Sequence, residues 1–241
     1  MTDLVLIPGL GSDAAVWSRC IEVLGSGFRT MIGDTLQDDT LQGMARRILD
    51  AAPAKFVLAG LSMGGMVALE VMRLQPERVT GLAIVDSNAF PDTPEQAEQR
   101  RRTLDAVRRG VDLRTAGQAS LAWLVHSEAA ADVKADVVEM GVRVGAEAYA
   151  RQVEAVLHRP DQRPILATIK VPTLVITGAD DAMIPVTCAR AIAAAIPAAE
   201  LKIIPDCGHL PPIEKPRTVA DFMRTLVERA GYDGSGRTEP E

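Results

Sequence analysis

Phe56-Val57-Leu58-Ala59-Gly60-Leu61-Ser62-Met63-Gly64-Gly65-Met66 passes, within eleven residues, from an unbroken apolar run through a serine bracketed by glycines into a second apolar stretch. Apolar residues without polar alternation read as a strand covered on both faces, which gives a strand over Lys55–Ala59. Beyond the serine, Met66-Val67, Leu69, Val71-Met72 and Leu74 recur at helical spacing until Pro76 closes the helix. Gly-x-Ser-x-Gly between a strand and a helix forces the serine onto a turn too sharp for side chains beside it, and Gly60 and Gly64 allow that close approach. The helix start aims its unpaired N–H groups and positive end at the space beside Ser62, and the Met63 N–H is the natural donor to an oxyanion formed there. A serine so placed is a candidate nucleophile that needs a base.

Outward from this turn the chain alternates between short apolar runs and helical spacing. Leu4–Ile7 is a strand that ends at Pro8-Gly9-Leu10-Gly11-Ser12, Phe28–Ile32 another extended segment, and Leu82–Val85 a further strand. Thr40 caps a helix over Leu41–Ala51, where Leu41, Met44, Ala45, Ile48 and Leu49 share a face. Strands at Pro172–Thr177 and Leu201–Ile204 and helices at Val186–Ile196 and Pro216–Arg229 complete the pattern. Short apolar strands joined by helices predict an α/β fold with a mostly parallel central sheet covered by helices.

Between Pro91 and Pro164 the character changes: charge is frequent, and helical spacing runs near 94–109, 115–127, 131–143 and 146–157. The expected organisation is an α/β core over 1–90 and 165–230, a helical cap over 91–164, and a flexible tail over 231–241 that has too little apolar surface to offset its ordering cost.

The chain has 241 residues, 47% of them apolar and only 3% aromatic, with a net charge of −6. That charge argues against nucleic acid or an anionic membrane as partner. Cys20, Cys188 and Cys207 lack ligand spacing, which implies inert thiols, a reducing compartment and no zinc site. The N-terminus lacks the features of a signal peptide, so the expected location is cytoplasmic.

Of the three histidines, His126 and His158 fall in the helical insertion, whereas His209 follows a late strand, where α/β sheets carry their sites. His209 is the candidate base. Its orienting carboxylate must be Asp180 or Asp181, after the strand that follows the insertion, or Asp86, after Leu82–Val85; strand-end position and the order Ser, Asp, His favour Asp181. Leu10 N–H, in the loop after the first strand, is the second oxyanion donor. That loop lacks the Gly-Lys-Ser/Thr of a phosphate cradle. Trp17 is a core or pocket-wall aromatic, and Phe90, Trp123, Leu124 and Leu210 are the remaining candidates for the pocket.

Taken together, these residues resemble the α/β-hydrolase superfamily, in particular its small capped esterase and lactonase branch, over nearly the whole chain. Gly60-Leu61-Ser62-Met63-Gly64-Gly65 is similar to its nucleophile elbow, and Gly208-His209 with Glu214-Lys215-Pro216 is similar to its histidine loop. Gly178-Ala179-Asp180-Asp181-Ala182-Met183-Ile184-Pro185 resembles its acid loop, and that resemblance selects Asp181 over Asp180. In the oxyanion loop Pro8 stands where the family commonly has histidine, a change compatible with a backbone donor two residues later.

The resemblance implies a serine carboxylic-ester hydrolase that forms an acyl-serine on small to medium, largely apolar esters and needs no metal or organic cofactor. Lactonase or enol-lactonase, thioesterase, carbon–carbon bond hydrolase and a binding-only relative that has kept the fold are the alternatives. Arg100, Arg101, Arg102, Arg108 and Arg109 are expected to form a solvated helix face with Glu95, Glu98 and Asp105. The sharper alternative is a seat for an anionic substrate end or an acyl-carrier protein.

Overall fold

A computed structural model describes residues 2–197 and 199–231. Six strands lie in one sheet in the order β2-β1-β3-β4-β5-β6, with every neighbouring pair parallel. They are β1 (Thr2–Ile7), β2 (Phe28–Ile32), β3 (Phe56–Leu61), β4 (Val79–Val85), β5 (Thr173–Gly178) and β6 (Ala199–Ile204). The expected parallel α/β sheet is therefore the observed one.

The strand residues divide by parity between two cores, as a pleat of period two requires. Val5, Ile7, Leu58, Ile84 and Val175 face one side, where α2 (Leu41–Ala51), α3 (Met63–Leu74) and α8 (Val186–Ala195) pack. Leu4, Leu6, Val57, Ala59, Ala83, Val85, Leu174 and Ile176 face the other, covered by α1 (Ala15–Leu24) and α10 (Pro216–Gly231). On α10 the buried residues Val219, Ala220, Met223 and Leu226 fall at spacings of one, three and three, one stripe of the helix. Burying a Val, Leu or Met side chain of this kind contributes about 1.5–3 kcal/mol. Thr40 caps α2, accepting Gly43 N–H at 3.0 Å.

α1 is an element the sequence analysis does not assign: its N-cap, Ala14, makes no side-chain bond, although Val16, Trp17, Cys20 and Leu24 recur at helical spacing and form its buried face.

Between β4 and β5 lie α4 (Pro94–Arg108), α5 (Leu113–Leu124), α6 (Ala131–Leu157) and the short α7 (Arg163–Leu166). Thr93 and Gln96 close a reciprocal capping box on α4, and Asp112 caps α5. The two helices expected over 131–143 and 146–157 are joined as α6, with a break at Gly145, whose φ of 75° is left-handed. The tail expected to be flexible lies outside the described residues, apart from Gly231 at the end of α10. No helix among the described residues is long and apolar enough to cross a membrane.

Because all six strands run the same way, the loops after β1, β3, β4, β5 and β6 leave at one edge of the sheet. Pro8–Ser12, Ser62, Asp86, Asp181 and His209 lie on those loops.

Candidate active site

Ser62 links β3 to α3 with φ 53° and ψ −116°, a backbone conformation rare for a residue with a side chain. Hydrogen bonds to its main chain hold it there. Its N–H donates to Val85 O at 2.8 Å, and its carbonyl accepts Gly65 N–H at 2.9 Å and the Ser87 hydroxyl at 2.7 Å. Side chains have no room around this turn: a Cβ on Gly60 would lie 2.2 Å from Gly64 O, and one on Gly64 would lie 2.4 Å from Ile7 O. The two glycines let β1, β3 and α3 meet backbone to backbone and push the serine outward.

His209 follows β6 and is nearly buried. Its Nε2 lies 2.9 Å from Ser62 Oγ and its Nδ1 lies 2.8 Å from Asp181 Oδ2. An ionised carboxylate only accepts, so the proton between His209 and Asp181 sits on Nδ1 and leaves the Nε2 lone pair facing the serine hydroxyl. The other oxygen of Asp181 accepts the N–H groups of Met183 at 2.7 Å and Ile184 at 3.0 Å. The side chain of Asp181 has no exposed surface. Burial pushes its carboxyl up, but the hydrogen bond and charge of His209 outweigh that and hold it below the usual carboxylate range.

Asp86, at the end of β4, does not replace Asp181; it stands behind it. Its Oδ1 accepts the Thr177 hydroxyl at 2.8 Å and the Gly178 N–H at 3.0 Å, and acid groups of Asp86 and Asp181 lie with the His209 ring within 4.8 Å of one another. Burial, then the Asp181 charge, push the Asp86 carboxyl well above its ordinary range. Repulsion between two acids so close and buried favours the proton on Asp86.

Met63 is the first residue of α3, ahead of Gly65, whose N–H turns back to the Ser62 carbonyl. The Pro8–Ser12 loop, closed by Ser12 N–H donating to Gly9 O at 3.1 Å, abuts the elbow: a Cβ on Gly9 would lie 3.3 Å from the Ser62 Cβ. Leu10 follows directly and is half-buried. Gln152 of α6 steadies this loop, accepting Gly11 N–H at 2.8 Å while its amide nitrogen reaches Thr35. Sequence reasoning missed Gln152 and Ser87, because each acts through a tertiary bond to another loop's backbone.

The remaining sequence candidates separate. Of the two readings open for Trp17, core or pocket wall, the structure has it in the core: it has no exposed surface, and its indole N–H donates to Ile7 O at 3.2 Å. Leu210 also packs in the core. Phe90 lies under the Arg163 guanidinium, 5.2 Å from the ring centroid. Trp123 is 58% exposed on α5, and the carbonyl of its neighbour Leu124 accepts His209 N–H at 3.1 Å. His126 faces Asp180 at 3.9 Å, and His158 pairs with Glu154 at the end of α6. A cleft of about 420 Å³, lined by Glu70, Arg73, Arg159 and Gln162 among others, contains none of Ser62, His209 and Asp181.

The basic group of the insertion is largely paired. Arg100 bonds Asp92, Arg101 and Arg102 approach Glu98, and Arg108 bonds Glu154.

Known proteins align with this architecture along nearly all of its length. The chain is 32% identical over 247 residues to a pimeloyl-[acyl-carrier protein] methyl ester esterase of Serratia marcescens, covering 94% of this chain and 92% of that one. It is 26% identical over 245 residues to 3-oxoadipate enol-lactonase 1 of Acinetobacter baylyi, covering 93% and 88%. Among solved structures, a thermophilic esterase from Thermogutta terrifontis superposes with a TM-score of 0.87 at 29% identity, over 95% of this chain and 90% of that one. The family model described as "Alpha/beta hydrolase family" matches residues 4–222, and the chain belongs to that family.

Proposed function

We propose that this hydrolase cleaves carboxylic esters through an acyl-serine on Ser62. The observation that carries the reading is the line of two hydrogen bonds from Asp181 through His209 to Ser62. In this mechanism Ser62 Oγ bonds to the ester carbonyl carbon as its proton passes to His209 Nε2, and Asp181 stabilises the imidazolium. The carbonyl oxygen takes up the negative charge between the N–H groups of Met63 and Leu10. Collapse breaks the ester C–O bond, and His209 returns the proton to the departing alcohol. Water, deprotonated by His209, then attacks the acyl carbon and releases the acid and a free Ser62.

The helices between β4 and β5 are the cap in this reading. Exposed Trp123 and Met183 flank the loops that carry His209 and Asp181, one residue from Leu124 and two from Asp181 respectively, which supports a small to medium apolar ester. Trp123→Ala should raise KM for a medium-chain ester about tenfold and leave KM for an acetate ester within about twofold, because the lost ring contact scales with buried apolar area. Being an exposed change it should leave stability within about 0.5 kcal/mol. Equal KM changes on both esters would remove Trp123 from the acyl pocket.

A second reading has the ester presented on an acyl carrier, and the curated relatives named for such a substrate support it. Kinetics on free methyl esters, a lactone, a thioester, a carbon–carbon bond substrate and a methyl ester on an acyl-carrier protein test the two together. Turnover of free esters is the expected result for the first. A kcat/KM at least about a hundredfold higher on the carrier-bound ester favours the second, and the absence of any ester turnover overturns both. A cytoplasmic location fits the three unpaired cysteines, with the Cys20 thiol pushed up to about 12 by burial and so unreactive.

A further inference from the structure

The loop that carries His209 presents three successive N–H groups to partners outside the sheet. Gly208 N–H donates to Glu214 Oε2 at 3.1 Å and Leu210 N–H to Glu214 Oε1 at 3.0 Å. Between them, His209 N–H donates to the Leu124 carbonyl at the end of α5. Glu214 Oε2 also accepts the N–H of His126, at 2.8 Å, from the turn that follows α5. A single carboxylate thus brackets the imidazole-bearing residue on both sides and ties that bracket to the 124–126 turn. The two segments touch backbone to backbone, since a Cβ on Gly208 would lie 2.6 Å from His126 N.

Glu214 is well placed for this work. It ends α9 (Pro211–Glu214), whose Pro211, Pro212 and Ile213 are buried, and its own N–H donates to Leu210 O at 3.0 Å. Only the ionised form accepts three donors without presenting one of its own, and bonds to an ionised acceptor are about twice as strong as neutral ones.

We propose that Glu214 is a positioning residue that sets His209 against Ser62 and couples that placement to the seating of the 124–126 turn. The proposal rests on the serine-hydrolase reading. Its consequence is that a substrate touching α5 acts on the base through the same bonds, so the helices above the site help to place the base as well as to choose the substrate.

Glu214→Gln tests it, because the amide keeps the shape but replaces one acceptor oxygen by an NH₂ that faces donors. The expected result is a kcat lower by about 10- to 100-fold, since small misplacements of a reacting group cost that much, with KM within about threefold. Hydrogen exchange should quicken together at 124–126 and 208–210. Glu214→Asp, which keeps both acceptor oxygens one methylene shorter, should recover only part of kcat with KM still near wild type, and it serves if the glutamine variant does not fold.

Wild-type kcat in a folded glutamine variant, or a loss that falls on KM and spares kcat, overturns the positioning role. Faster exchange at 208–210 alone overturns the coupling. Failure of the wild-type enzyme to form an adduct on Ser62 sinks the serine reading instead, and the exchange measurement still decides whether Glu214 joins the two segments.

Discussion

Ser62→Ala should lower kcat on an activated ester by roughly 10⁵- to 10⁶-fold, with KM little changed and the protein still folded. In the proposed mechanism the hydroxyl is the attacking group, and no other side chain of the Gly60–Gly65 turn carries a nucleophile. On this proposal its loss leaves only the proposed oxyanion donors, the amides of Met63 and Leu10, and the binding surface, which together should retain only a background rate. His209→Ala should cost a similar factor, and the double variant scarcely more than either, because the two side chains act as one unit. A fluorophosphonate should add one equivalent of mass to the wild-type enzyme and none to Ser62→Ala. Labelling that persists in the alanine variant, or a kcat that falls less than about tenfold, would assign the nucleophile to another residue. The backbone bonds that shape the elbow, to Val85, Gly65 and Ser87, use the main chain of residue 62, so the alanine variant keeps the turn.

How far the sequence revealed this arrangement follows from the range of each interaction. The β3–α3 turn is legible because its constraints are local: glycines flank the serine, an apolar strand precedes it, and a helical stripe follows. The parallel sheet is legible for the same reason, since its inner strands β1, β3, β4 and β5 bury both faces and lose polar alternation, whereas the edge strands β2 and β6 keep exposed polar residues. Trp17 was ambiguous because a ring near a site loop fits a wall or a core, and only the bond from its indole to Ile7 O decides. Glu214 could be read as part of a loop motif, but its three donors come from residues 126, 208 and 210 and meet only in the folded chain. Asp86 and Asp181 are a similar case: each ends a strand, and the adjacency of β4 and β5 that brings the two acids together is a property of the sheet order.

Those two acids should respond oppositely to the same substitution. Asp181→Asn should reduce kcat by about 10⁴-fold while the protein stays folded. An amide that turns its NH₂ to His209 Nδ1 forces the ring proton onto Nε2, where it blocks proton uptake from Ser62. One that turns its oxygen to His209 sets its NH₂ against the N–H groups of Met183 and Ile184. Asp86→Asn should leave kcat within about threefold of wild type, because the amide reproduces a protonated carboxyl, with an oxygen for Thr177 and Gly178 and a donor for Asp181. The pH dependence of stability carries the same distinction. Asp86 binds its proton more tightly folded than unfolded, so its contribution is complete below the unfolded value of about 3.9 and is lost as pH rises through the folded value. Asp86→Asn removes that loss, and its Tm relative to wild type should climb with pH above about 4. Asp181 has the reverse sign: its folded value is depressed, so its contribution is lost as pH falls below about 3.9. A Tm difference for Asp86→Asn that is flat from acid to neutral pH would place a charge on Asp86, and kcat falling in parallel in both asparagine variants would make that charge part of the proton relay.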